Sequence, residues 1–362
     1  MNRTCIALLL LASLLVVSGC QNRKQSEGFS NSGFNELLLP VPLHSVLEQE
    51  DYWIWGASMV RAGDGTCHLF YSRWPREYEF KDWIYRSEIA YATAESPGGP
   101  YTFQKVVLRG QGGESWVQQM AHNPHIKKFG KRYYLYFISY TLKDQGLGER
   151  MNHIFSQRIG LATASEPGGP WEVSREPLVD IQEGKAAHGY VTNPSVCQRP
   201  DGSYLMMMKS RPGNWQESKK FRSIQCLATS PAPDGPWIID EQPVMTEFTT
   251  EDPFIWFGDD RYYAIVDDQY GDYLGVRGLA LFESPDGFTW EPSENPLVSE
   301  LEISWEGDTS THVNHLERPQ LWFNENGEPA VLFLATQQHG TDGKGNPFMK
   351  SFNVHIPLKA NL

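Results

Sequence analysis

Two short acidic stretches in this 362-residue chain carry residue types suited to acid–base chemistry, Glu251-Asp252-Pro253 and Glu317-Arg318-Pro319. Two carboxyl groups facing each other, one protonated and one ionised, can donate a proton to a leaving group and activate an attacking group. Glu317 is the expected acid, because it adjoins an apolar run where burial favours the protonated form, against the opposing influence of Arg318. Asp252 is the expected base, with Glu251 as its rival. Neighbouring strand residues point to opposite faces, so one of the two is expected at the site. Glu88, in Arg86-Ser87-Glu88-Ile89, and Asp51 are alternatives from the front of the chain. The competing readings are a structural link between Glu317 and Arg318, and a solvated turn for Glu251-Asp252.

Both stretches are copies of one repeat. His122-Asn123-Pro124-His125-Ile126, Thr192-Asn193-Pro194-Ser195-Val196, Glu251-Asp252-Pro253-Phe254-Ile255 and Glu317-Arg318-Pro319-Gln320-Leu321 each precede a turn and an apolar strand. Trp55-Gly56-Ala57-Ser58-Met59 is a degenerate first copy. From Ala57 the copies recur at intervals of 67, 70, 59 and 66 residues. A second pattern follows the early copies: Ala-Thr, then Gly99-Pro100-Tyr101, Gly169-Pro170-Trp171 and Gly235-Pro236-Trp237. Each unit therefore reads as four short strands with Gly/Pro turns, and no segment keeps a helical period. The fold expected is all-β, a five-bladed propeller of four-stranded antiparallel blades around a central axial pocket. The fifth unit is short, so Phe34–Leu43 is expected to complete it by pairing with Ser351–Leu358.

Composition agrees with a folded, acidic, aromatic-rich protein. Lys plus Arg is 31 against 44 Asp plus Glu, a net charge of −13 that excludes a basic nucleic-acid groove. At the N-terminus Arg3, the apolar run Ile6–Val17 and Val17-Ser18-Gly19-Cys20 resemble a bacterial lipoprotein signal; a plain secretory signal is the alternative. Residues 1–19 are then a signal peptide, Cys20 carries lipid, 20–33 is a flexible tether, and 34–362 is the propeller. The expected location is the bacterial cell envelope, with membrane association through the lipid anchor alone. Cys67, Cys197 and Cys226 have no metal spacing and read as buried small hydrophobes.

The repeat architecture, with acidic residues beside Pro at inner-strand starts, resembles the five-bladed β-propeller glycosidases: the arabinanase/xylosidase, invertase/levansucrase and neoagarobiose-hydrolase-like families. The resemblance covers the chain from about residue 34. It implies a hydrolase acting on O-glycosyl bonds of an oligo- or polysaccharide, with paired carboxylates on the propeller axis whose separation sets inversion or retention. The arabinanase-like families place a general-base Asp on the first blade, where this chain has Trp55-Gly56-Ala57. Blades two and three carry Asn123 and Asn193. The acidic pair has therefore moved to blades four and five, unless Asp51 or Glu88 serves from the first blade, and this departure marks a divergent branch.

Substrate contacts are expected from Trp55, Trp74 and Trp256 stacking on sugar rings, and from the polar groups of Asn123 and Asn193. Trp171, Trp237 and Trp290 occupy repeat positions that suit packing between blades. His122, His188, His312 and His315 adjoin strand starts, and one or two of them are expected to orient hydroxyls or to tune a carboxyl. Arg158, Lys209, Arg211 and Arg318 offer positive charge, which suits an anionic sugar such as a uronic acid or a sulfated sugar. No cofactor is expected; Asp267-Asp268 offers oxygens to a structural cation such as calcium, although adjacent acids at a strand end are usually solvated. Two other functions compete: a non-catalytic glycan-binding propeller, and a phosphorylase whose phosphate site would use Lys209 with Arg211.

Overall fold

The computed structural model describes residues 33–216, 222–342 and 344–359. The signal segment, Cys20 and nearly all of the tether lie outside the described residues. Five four-stranded antiparallel sheets surround one axis. Their inner strands are Tyr52–Arg61, His122–Phe129, His188–Gln198, Thr250–Gly258 and His315–Phe323. In blades 1 to 4 the remaining strands follow outward in chain order.

Blade 5 closes differently from the expected way. Its fourth strand is Val46–Leu47, paired with Val354 and Asn353, and not Phe34–Leu43. Phe34–Leu37 is a 3₁₀ turn with Phe34 and Leu37 buried. Beyond it, a single bridge joins Leu38 to Leu358, and the Leu39 N–H donates to the Pro357 carbonyl at 2.9 Å. Pro40 and Pro42 break the run, so the chain pairs in earnest only after them. An added hairpin, Glu302–Trp305 with Thr309–His312, lies between blades 4 and 5 in the chain.

The aromatic after each Gly-Pro turn locks its blade to the one before. Trp171 of blade 2 meets Phe70 of blade 1 edge-on at 5.4 Å. Trp237 of blade 3 packs in one cluster with Tyr136 of blade 2, and Tyr101 of blade 1 meets His355 of blade 5 at 5.2 Å. Cys67, Cys197 and Cys226 are free thiols buried within the blades.

The Pro-centred repeat marks a bulge. The ladder of every inner strand breaks at the same place, at Trp55/Ala57, His122/His125, Thr192/Ser195, Glu251/Phe254 and Glu317/Gln320. The bulged residue has a left-handed backbone in each: Gly56 at φ 37°, Asn123 at 51°, Asn193 at 53°, Asp252 at 49° and Arg318 at 59°. Gly, Asn and Asp tolerate that region. Arg does not, so Arg318 holds strain of about 1–3 kcal/mol. In blades 2 to 5 the following residue is Pro, whose missing N–H is harmless where the ladder is already interrupted. The bulge also cancels the usual alternation, so two consecutive residues of each strand turn toward the axis.

Candidate active site

The first residues of these pairs, Trp55, His122, Thr192, Glu251 and Glu317, line an axial cavity of about 240 Å³. Directly beneath them the second residues form a ring. Asn123 Nδ2 donates to Asn193 Oδ1 at 2.8 Å, and Asn193 Nδ2 donates to Asp252 Oδ1 at 2.5 Å. Arg318 Nη1 reaches the same Asp252 oxygen at 3.4 Å. Blade 1 contributes Gly56, and the ring needs its small size. A Cβ there would stand 3.3 Å from Asn123 Oδ1 and 3.4 Å from Arg318 Nε.

One wall of the cavity is aromatic. Trp55 and Trp74 come from the first two strands of blade 1, while Phe80 and Trp83 come from the insertion that follows them. Phe80 meets Trp55 at 5.3 Å and Trp74 at 5.2 Å, and Trp83 stacks on His122 at 4.6 Å. His122 also shares a 2.7 Å hydrogen bond with the Ser87 hydroxyl. Burial, aided by the Arg318 charge, pushes the His122 imidazole well below its usual value, so it is neutral at physiological pH.

Blades 3, 4 and 5 bring charged groups to the cavity. Glu251 accepts a hydrogen bond from the Lys209 ammonium and another from Ser223 Oγ at 3.4 Å. Burial works against the charge on Lys209, but Glu251, Tyr190 and Asp252 outweigh it and the net shift is upward. Glu317 shares a hydrogen with His315 Nδ1 and has Arg277 Nη2 3.8 Å away. Both glutamate side chains keep 13% of their surface exposed, enough to meet a ligand. Asp252 is 3% exposed on the cavity floor. Burial pushes its carboxyl up to about 6, against the pull of Arg318 and with Glu251 and Glu317 adding to the rise.

A fourth acid, Asp267, stands behind this pair. It lies opposite Glu251 in the blade 4 ladder and is 3% exposed, and its Oδ2 is buried without a hydrogen-bond partner among the described residues. Burial, then the charges of Glu317, Asp252 and Glu251, hold its carboxyl well above the ordinary carboxylate range despite Arg277. The strand-end reading of Asp267-Asp268 as solvated is therefore corrected. Asp268 is fully buried as well and accepts the N–H groups of Asp272, Tyr273 and Leu274 at 2.7–3.0 Å, closing the following turn.

Asp267 yields a pH prediction. Its folded pKa exceeds the unfolded one, so folding takes up a proton and the group's contribution is lost as pH rises above the unfolded value of 3.8. Asn cannot ionise. Asp267→Asn is expected to match the wild type in urea unfolding at pH 4 and to exceed its midpoint increasingly toward pH 8. A wild-type advantage at pH 8 would mean that Asp267 is buried as a needed carboxylate.

Several residues expected at the site lie elsewhere. Glu88 begins the third strand of blade 1, away from the axis, where Arg73 holds it at 3.0 Å and Arg109 at 3.5 Å. Arg158 occupies the equivalent place in blade 2 and is tied to Asp180 and to the carbonyls of Phe155 and Gln157. Arg318 is on the axis but 1% exposed, set against Asp252 instead of a ligand. Trp256 stacks on Tyr263 at 5.1 Å in the core of blades 4 and 5. His312 lies exposed on the added hairpin, and Asp51 is exposed on a turn. Arg211 donates to the Arg222 carbonyl, and the Lys209 ammonium is engaged by Glu251, so the two do not form a phosphate clamp. Both Glu251 and Asp252 line the cavity, where alternation predicts one. Trp55, Trp74, His122, Asn123, Asn193, Lys209, His315 and Glu317 are brought together there. Phe80, Trp83 and Asp267 escape the repeat-based reading; the long link from Pro75 to Glu88 is the one sign of the first two.

No protein-family model matches the sequence, and no curated protein matches it. Solved structures do match in fold. The chain is similar to Zg3597, a family 117 glycoside hydrolase from the marine bacterium Zobellia galactanivorans, at 14% identity and TM-score 0.57 over 84% of this chain and 85% of that one. BT0996, in a complex with RGII, aligns at 11% identity and TM-score 0.63, over 91% and 94% of the two chains. An endo-arabinase from Bacteroides thetaiotaomicron aligns at 13% identity and TM-score 0.54, over 90% and 98%. At such identities the shared property is the backbone: the chain has the five-bladed β-propeller fold found among family 43 and family 117 glycoside hydrolases.

Proposed function

We propose that the protein is a glycoside hydrolase that takes the terminal sugar of an oligo- or polysaccharide into the axial cavity. The observation that carries this reading is the pairing of Glu251 and Glu317. They come from adjacent blades and open on one small cavity that aromatic rings of blade 1 also line. Aromatic rings suit the C–H face of a sugar, and the polar rim suits its hydroxyls. Glu317 serves as the acid: with His315 it forms a unit that holds a transferable proton, which passes to the glycosidic oxygen as the bond to the anomeric carbon breaks. Glu251 replaces Asp252 as the base. Lys209 pairs with it at the cavity wall, whereas Asp252 is fixed in the floor by Asn193 and Arg318. Glu251 takes a proton from the attacking water, or attacks the anomeric carbon itself; the anomer released distinguishes the two.

The test is a panel of neutral, uronic-acid-containing and sulfated oligosaccharides, with released sugars followed by proton NMR. Release of a single sugar as one initial anomer supports the proposal. Saturable binding with no release from any substrate, in wild type and Glu317→Gln alike, returns the protein to the glycan-binding reading. We also propose that Cys20 anchors the protein in a bacterial envelope by lipid, on the strength of Val17-Ser18-Gly19-Cys20. Cys20→Ser is expected to move the protein from the membrane to the soluble fraction, and unchanged partitioning would overturn the assignment.

A further inference from the structure

Below the ring of Asn193 and Asp252 the axis holds another polar layer. Its orientation follows from its hydrogen bonds. His125 Nε2 accepts the Val196 N–H at 3.0 Å, so its ring proton sits on Nδ1 and is donated to Gln320 Oε1 at 2.8 Å. The neutral ring this requires agrees with burial, which pushes His125 well below its usual value. Ser58 donates its hydroxyl to the same Gln320 oxygen at 3.1 Å and accepts the Ile126 N–H at 3.1 Å. The Gln320 amide is thus fixed with its oxygen doubly occupied. Its Nε2 is left with two N–H donors and no partner among the described residues, although Gln320 is only 3% exposed.

Gln320 borders a second cavity, of about 570 Å³, formed by the later residues of the inner strands at the opposite end of the axis from Glu251 and Glu317. Lys127 lines it. Its Nζ lies 4.8 Å from the centre of the Phe254 ring, and among the described residues no carboxylate lies within 4.0 Å of it. Burial brings its ammonium down to about 8, with the Cys197 thiol opposing the shift. Arg61 and Lys128 add two more cations to the lining, and Glu325, 3.8 Å from Arg61, adds one carboxylate.

A half-buried ammonium with no anion beside it and a buried amide with unused donors both leave hydrogen-bonding capacity unmet. The aromatic face compensates the first in part. One oxyanion accepting from both would satisfy the two together, since carboxylate, sulfate and phosphate oxygens are acceptors only. We propose that this second cavity binds a small oxyanion, free or carried on a sugar, through Lys127 and the Gln320 amide. The site is independent of the hydrolase reading.

The experiment titrates the full chain calorimetrically at constant ionic strength with sulfate, phosphate and glucuronate, using glucose as the neutral control. Saturable binding of an anion, weakened at least tenfold in Lys127→Met and retained in Lys127→Arg, supports the proposal. Binding of all three anions identifies the oxyanion alone as the ligand, and binding of glucuronate alone identifies an acidic sugar. Glu317→Gln, altered in the other cavity, is expected to keep the same affinity. Lack of saturable binding by folded wild type, equal affinity for glucose, or unchanged affinity in folded Lys127→Met would each overturn it.

Discussion

Replacing Glu317 by Gln is expected to lower turnover of a cleaved glycan by about 10²–10⁴-fold while leaving its binding nearly unchanged, the range that positioned acid catalysis supplies. Gln preserves the shape of the side chain and can still bond to His315, but it has no proton to give to a departing sugar oxygen. The loss therefore depends on the leaving group. An aryl glycoside with an acidic phenol departs without protonation, so the Glu317→Gln deficit is expected to shrink sharply on that substrate. Glu251→Gln should show no such recovery, because its role is on the attacking side, which a better leaving group does not replace. Asp252→Asn separates the two candidate bases: a loss much smaller than that of Glu251→Gln supports Glu251, and an equal or larger loss restores Asp252. Near-normal turnover in Glu317→Gln would remove Glu317 as the acid.

The blade count is readable from the spacing of the Pro-centred copies because Pro is confined to places where a strand's ladder is already broken. Each of the four Pro copies therefore marks one inner-strand bulge, and the degenerate Gly56-Ala57 copy at the same spacing makes a fifth, which means five blades. The geometric effect of the bulge is harder to read. Simple alternation sends Glu251 and Asp252 to opposite faces, but the left-handed turn at Asp252 brings both to the axis at different depths. Glu88 and Arg158 mislead for a related reason. Their matching positions in two blades are real, but they begin third strands, which lie away from the axis, and each finds a salt-bridge partner there. The sequence offers Asp267 only as a cation ligand or a solvated strand end, because its place beside Glu251 comes from the cross-strand register. Phe80 and Trp83 sit in an insertion outside the repeat, so no periodic argument reaches them. Closure of blade 5 by Val46–Leu47 turns on the placement of Pro40 and Pro42, a local effect that the missing-strand argument overlooks.

Arg318→Met is expected to reduce stability by about 3–5 kcal/mol at pH 8, the cost of breaking a buried ion pair from one side. Arg318 is 1% exposed, and its charge faces Asp252 from within the ring that closes against Gly56. Without it, Asp252 stands beside Glu251, Glu317 and Asp267 with Lys209 as the nearby counter-charge. The pH dependence follows from Asp252. Its folded value of about 6 lies above the unfolded 3.8, so its contribution to stability is intact below about pH 4 and is lost as pH rises through 6. Removing the guanidinium raises the folded value further, which extends that loss to higher pH. The deficit of Arg318→Met in denaturant unfolding is thus expected to be small at pH 4, where Asp252 is protonated in both proteins, and to grow toward pH 8. Adding Asp252→Asn to Arg318→Met removes the stranded carboxylate and should recover most of the loss at pH 8. A deficit of equal size at both pH values would show that Arg318 holds the ring by filling the space beside Gly56, with its charge of little consequence.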